Sequence, residues 1–228
     1  MIGNALRIDI EKYASELSRR NLMFATTQAG TLTRDMIRRY LASLRYMLAL
    51  TPVHLTKAAR RARELGDEPL AKHFEHKLVE EIGHDAWAEQ DLRSLDAERA
   101  ARTPDVTNGA RELGAYLERR IDENPVYWLA YAAFAEYITV MKGPEWLELL
   151  ETKCGIPRSS MTAVDKHVEL DREHAEEGFA VIDDFVGDPS MLPLMRQVMA
   201  ESMAHFDAYC AEAVNAGEGA VAAHVSAA

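Results

Sequence analysis

The chain has 228 residues, about half of them apolar, and a formal net charge of −11. That is enough chain for one large domain with its own core. An acidic balance without any dense basic block argues against nucleic acid or an anionic membrane surface as the main partner.

The N-terminal stretch MIGNALRIDIEKY carries early charges and no apolar h-region, so no signal peptide is expected. Nowhere does the sequence approach the ~20 consecutive apolar residues of a membrane span. From the N-terminus onward, helical periodicity predicts helices over 8–20, 33–50, 51–65, 68–97, 108–123, 125–142, 144–153, 159–186 and 189–215. Thr51-Pro52, Asn124-Pro125 and Asp188-Pro189 each place a capping residue before a proline, which reads as a helix start. Pro52 is therefore expected to separate or kink two helices, and Gly143-Pro144 to start another. No run alternates apolar and polar residues over a strand length, so essentially no sheet is predicted. Short connections make sequential helices packed neighbours, and the fold class is an all-α single-domain bundle over 1–215. The weakly patterned segment 216–228 is expected to be a flexible tail. Two cysteines, Cys154 and Cys210, occur without a CxxC, which suggests packing roles and a reducing, cytoplasmic setting.

Three of these helices carry polar residues where apolar ones belong. In the 68–97 helix, Leu70, Phe74, Leu78, Ala88, Leu92 and Leu95 fall in one stripe at about 100° per residue. Glu81 projects into that stripe, His84 lies on its edge, Asp85 is a nearby rival, and Glu80 lies well off it. His73 and His76 read as surface histidines. The 125–142 helix is apolar or aromatic all round, and before Lys142 its one acid is Glu136. A carboxylate there is costly unless it is paired or bound to a cation. Tyr127, Tyr131, Tyr137 or an arginine are its candidate partners. In the 159–186 helix, His167, Asp171 and His174 stack on one face, with Gly178 a turn beyond. Asp165, Arg172, Glu176 and Glu177 occupy the opposite, solvated arc. Each anomaly taken alone also fits an acid or imidazole satisfied within the core.

Together the three helices offer Glu81, His84, Glu136, His167, Asp171 and His174. Helical bundles build di-metal sites from inward carboxylates and Glu-x-x-His motifs on facing helices. Three carboxylates largely offset two divalent ions, and imidazole plus carboxylate without thiolate suits iron or manganese. Six ligands shared by two ions leave open positions, as a catalytic centre requires.

ExxH at 81–84, a lone Glu at 136 and HxxxDxxH at 167–174 resemble the metal-binding pattern of the heme-oxygenase-like diiron oxidases and oxygenases. The resemblance implies a heme-oxygenase-like all-α fold and two iron ions, or an iron–manganese pair as in some members. It also implies O₂ and a small organic molecule as substrates, and a homodimer. Glu81 would bridge the metals, with His84 and His174 or His167 as terminal ligands and Glu136 and Asp171 completing the shells. Members of that family carry out oxidative C–C cleavage, N-oxygenation or self-sacrificing p-aminobenzoate synthesis, and the motif does not choose among them. True heme oxygenases place an axial histidine on the first helix, whereas the first histidine here is His54. Two other expectations stand beside this one. A metal-independent, thiaminase-type enzyme would need one of the cysteines as nucleophile. A non-catalytic helical protein would bond Glu81 and Glu136 to side chains alone.

Overall fold

The computed structural model describes residues 1–96 and 104–215. Among them the chain is helical throughout, with no strand. The expected tail at 216–228 lies outside the described residues, as does Ala97 at the end of the 68–97 helix. The order is α1 (Ile2–Arg20), α2 (Leu22–Gln28), α3 (Arg34–Glu64), α4 (Glu68–Glu81), α5 (Asp85–Asp96), α6 (Asn108–Glu123), α7 (Tyr127–Cys154), α8 (Thr162–Phe185) and α9 (Leu192–Asn215). Short 3₁₀ turns at Arg158–Ser160 and Pro189–Met191 lead into α8 and α9. No described helix is long and apolar enough to cross a membrane.

α1 starts earlier than its periodicity suggested, because Ile2 and Leu6 extend the stripe made by Ile10, Tyr13 and Leu17. α2, which the sequence reading did not predict, is a short helix capped by Asn21, whose side-chain oxygen accepts from the amide of Met23 at 3.1 Å.

Two predicted breaks are absent. α3 runs through Pro52 and α7 runs through Pro144. A proline inside a helix costs roughly 3 kcal/mol. Beyond Pro52, α3 buries Leu55, Ala58, Ala59 and Ala62, and beyond Pro144, α7 buries Trp146, Leu147 and Leu150. At about 1.5–3 kcal/mol for each large apolar side chain, keeping those faces in the core outweighs the lost backbone bond. The hydroxyls of Thr51 and Thr56 donate back to the carbonyls of Met47 (3.2 Å) and Pro52 (2.8 Å), so neither serves as a cap. α7, apolar on every side, is the central helix and packs against α1, α2, α6, α8 and α9.

One break was not predicted. The 68–97 helix is interrupted at Ile82-Gly83-His84, where Gly83 has φ of +91°. Only glycine adopts that conformation without strain. The turn lets α4 and α5 both pack on α3 while α5 continues to α8. Leu70, Phe74, Ala88, Leu92 and Leu95 stay buried on either side of it, so the stripe survives the interruption.

α8 lies against α7 along its length. A Cβ on Gly143 would come within 2.4 Å of Val168 Cγ2, so the glycine allows the two helices to approach closely just below the polar cluster. The start of α8 is fixed from α5. The buried carboxylate of Asp91 accepts from the amide and hydroxyl of Thr162 (2.9 and 2.6 Å) and from the amide of Ala163 (2.8 Å). Sequence reasoning overlooked Asp91. An acid among Ala88, Leu92 and Leu95 was its signal.

Candidate metal centre

The interruption at Gly83 shapes the first half of the site. Glu81 is the last residue of α4, and His84 sits on the turn rather than on a continuous helix. Glu81, His84 and, from α8, His167 bring one donor atom each within 4.8 Å of one another. His84 Nδ1 lies 3.2 Å from Glu81 Oε2. It is buried, and its orientation gives it no hydrogen-bond partner. The His84 and His167 rings are 5.0 Å apart and nearly perpendicular. His167 Nδ1 lies 2.6 Å from the carbonyl of Ala163, the residue whose amide Asp91 holds. With the proton assigned to Nδ1 by that bond, His167 Nε2 is the free donor. Trp87 stacks on His84 at 4.1 Å, and the ammonium of Lys166 lies 4.4 Å from the Trp87 ring centre. Burial raises the Glu81 carboxyl, but the nearby His84, His167 and Lys77 outweigh it and leave its pKa below the ordinary value. Burial lowers His167. The resulting carboxylate and neutral imidazole are the forms that bind metals. Asp85 starts α5 and takes no part in this cluster.

The second half is arranged differently. Glu136, on α7, is partnered by neither tyrosine nor arginine. Its Oε1 lies 3.8 Å from the ammonium of Lys77, a residue the sequence reading did not single out. Lys77 stands one turn before Glu81 on the same face of α4, which was the available signal. Its Nζ also lies 3.0 Å from Glu80 Oε2. Glu80 does more than face solvent. It is 31% exposed, with Oε1 3.2 Å from His76 Nε2 and Oε2 3.8 Å from His174 Nε2. His174 Nδ1 is 4.0 Å from Asp171 Oδ1. Of the supposed surface histidines, His76 is exposed, but His73 is half-buried between Phe74 and Phe185. Burial raises Glu136 to about 7, with Lys77 opposing, and raises Asp171 to about 9, with Glu136 and Glu81 adding to the effect.

Glu136 stands between two cavities. On one side a chamber of about 150 Å³ is lined by Glu81, His167, Asp171 and apolar residues of α3 and α7, including Leu44, Met47, Trp128 and Tyr131. A second apolar cavity of about 130 Å³ shares Tyr40, Leu44, Met47, Tyr131, Ala135 and Thr139 with it and runs deeper toward Phe134, Trp146 and Phe206. On the other side a pocket of about 120 Å³ is lined by the polar residues Lys77, Glu80 and His174 together with Gly178 and apolar residues of α7. A Cβ on Gly178 would lie 3.7 Å from Glu136 Oε2, an ordinary contact, so that glycine faces the carboxylate without being required by it. Of the six sequence-derived residues, the structure gathers Glu81, His84 and His167 tightly. Asp171 joins their chamber, Glu136 borders both spaces, and His174 faces the polar side.

No protein-family model matches the sequence, and no curated protein matches it. Solved structures do match. A domain of unknown function with a heme oxygenase-like fold from Shewanella denitrificans OS217 superposes with a TM-score of 0.79 at 17% identity, covering 92% of this chain and 90% of that one. A TenA homolog from Pseudomonas syringae pv. tomato DC3000 gives a TM-score of 0.68 at 16% identity, covering 93% and 92%. A CADD-like protein of unknown function from Nostoc punctiforme PCC 73102 gives 0.69 at 13% identity, covering 93% and 97%. The protein is thus a single all-α domain with the heme oxygenase-like fold. At these identities the likeness defines fold alone.

Proposed function

We propose that the protein is a non-heme di-metal oxidase or oxygenase that uses O₂ to oxidise a small organic substrate with an apolar body. The observation that carries this reading is the convergence of Glu81, His84 and His167, with the buried His84 Nδ1 lacking a hydrogen-bond partner. Such a nitrogen is costly to bury unless something binds it. The donor set fits the group: imidazole and carboxylate without thiolate suit iron or manganese. Glu81, His84 and His167 would hold one ion, and Glu136, Asp171 and His174 would hold the second. When bound, the metal pair supplies the reduction of O₂ and the removal of electrons from substrate.

The chain's own residues do the rest. The carbonyl of Ala163 holds the His167 ring so that Nε2 faces the cluster. Apolar walls contributed by α3 and α7 exclude water and orient the substrate beside the carboxylates. Ala135 and Thr139 line both the chamber and its deeper extension, so they set how far a substrate body reaches. Burial favours the protonated carboxyl of Asp171 and raises that of Glu136 to about 7 despite Lys77, and a divalent ion would displace such protons.

A metal-free polar network is the second reading, favoured by the Lys77–Glu136 contact. Thiol chemistry has no such support. Cys210 is fully buried, Cys154 donates to the carbonyl of Thr27 at 3.6 Å, and neither lines the chamber. The test is anaerobic Fe(II) loading followed by O₂, monitored by metal analysis and optical spectroscopy, with a product screen over small carboxylic and amino acids. The expected result is iron uptake and an O₂-dependent optical change, both lost in His167→Ala. No uptake, or uptake unchanged in that variant, sinks the proposal in favour of the metal-free network.

A further inference from the structure

The two halves of the polar cluster differ in what neutralises them. Among the described residues no lysine or arginine nitrogen comes within ion-pair distance of Glu81, which pairs instead with His84. Around Glu136 one does: Lys77, whose side chain is 14% exposed and whose ammonium is 3.8 Å from Glu136 Oε1 and 3.0 Å from Glu80 Oε2. His174 Nε2 lies 3.8 Å from the same Glu80 oxygen. The ammonium thus stands beside Glu136, a carboxylate assigned to the second ion, and on the Glu80 oxygen that faces His174, another of that ion's ligands. A compact ammonium on a flexible four-carbon stem is well suited to such a place, since it can leave without moving the backbone. Its closer partner is already Glu80, which is nearer the surface than Glu136 and can hold the ammonium as it withdraws. Two cations a few ångströms apart in a partly buried pocket repel strongly.

We propose that Lys77 is a tethered cation that stands at the second metal position beside Glu136, so that the two ions load in order and the second enters only as the ammonium withdraws from Glu136, retained by Glu80 or released to solvent. This rests on the di-metal reading above and deepens it. The first ion binds Glu81, His84 and His167 without competition. The second must displace an internal cation, and its affinity is set by that displacement. Lys77 touches no reacting atom in this account. It is a regulatory residue for metal loading, and it keeps the metal-free pocket neutral.

The experiment titrates metal-free, full-length protein with Mn(II), a redox-stable probe, and reads free Mn(II) by electron paramagnetic resonance. The wild type is expected to bind one ion tightly and a second at least tenfold more weakly. Lys77→Leu is expected to tighten the second ion by about tenfold or more and leave the first unchanged, whereas Lys77→Arg, which keeps the charge, leaves the second weak. If Lys77→Leu does not fold, as judged by circular dichroism, Lys77→Gln carries the comparison. A measurement without any variant accompanies it: acetylation of Lys77 by an N-hydroxysuccinimide ester, followed by mass spectrometry, is expected to accelerate with the second equivalent of Mn(II) and not the first. Two wild-type sites of equal affinity, a second site unmoved by removing the charge, or Lys77 labelling that ignores the second equivalent each overturns the inference. Absence of tight Mn(II) binding, or tight binding that survives Glu81→Ala, overturns the di-metal reading itself and the inference with it. The two failures are thereby told apart.

Discussion

The Glu81–His84–His167 half of the cluster and the Glu136–His174 half are built on opposite plans. In the first, each donor is fixed by something outside the cluster. Gly83 makes the turn that presents His84, the Ala163 carbonyl holds His167, and Asp91 holds Ala163. In the second, the acids are balanced by a flexible internal cation, and Asp171 is held well above its ordinary pKa by burial. A preorganised site loses little on binding, and a site that must first release its own charge loses more. On the proposed di-metal reading, the two halves would be sites of similar composition and different affinity.

The largest test of that difference compares Glu81→Ala with Glu136→Ala. Removing Glu81 is expected to weaken the tight ion by at least about 100-fold, which corresponds to roughly 3 kcal/mol. Glu136→Ala is expected to leave that ion within about threefold and abolish the weak one. Isothermal titration calorimetry with Mn(II) reads both. Equal losses in the two variants would erase the contrast between the halves.

Asp91→Ala attacks the support of the first half from a distance. It removes three hydrogen bonds to a buried carboxylate at the start of α8 and leaves the amides of Thr162 and Ala163 without their acceptor. A loss of about 3 kcal/mol in denaturant stability is expected. The tight ion is also expected to weaken about tenfold, as for other residues that orient a ligand. Unchanged stability would mean that α8 is positioned by its apolar face alone.

His54 supplies the background against which any pH response of the cluster must be read. It is buried in α3, and burial lowers it from 6.5 to about 4, with Lys57 adding to the effect and Glu118 opposing it. Between those values the unfolded chain binds a proton that the folded chain does not. Stability therefore falls as pH drops through about 6.5 and levels off near 4, by about 3 kcal/mol. His54→Gln is expected to flatten that part of the profile in urea melts taken from pH 7 to 4. A slope that persists would place its origin in the titratable groups of the polar cluster instead.

The architecture was legible where side-chain periodicity is strong. α6, α8 and α9 fall close to their predicted spans, and of the six polar residues Glu81, His84 and His167 gather tightly while Asp171, Glu136 and His174 lie around two adjoining spaces. Three features were not legible, each because a local signal lost to packing. Pro52 and Pro144 read as helix starts, yet buried surface on both sides keeps α3 and α7 continuous. Gly83 falls inside a helix predicted as continuous, yet tertiary contacts of α4 and α5 favour a turn there. Lys77 was not singled out, because periodicity reports which face a residue occupies but not how far a long stem reaches along it.

The smallest predicted effect tests whether that turn matters to the first half. Gly83 has φ of +91°, and an added Cβ would meet nothing within 4 Å. Gly83→Ala therefore acts through backbone conformation alone, at a cost of about 1–2 kcal/mol. In a domain of this size that lowers the melting temperature by roughly 2–6 °C. The chain can relieve the strain by extending α4 through residue 84, as its sequence pattern favours. His84 would then rotate away from Glu81, and the tight ion would weaken by a fewfold while the second changes little. If the melting temperature falls and Mn(II) affinity does not, the turn serves only to route α5 toward α8, and the presentation of His84 must come from its stacking on Trp87.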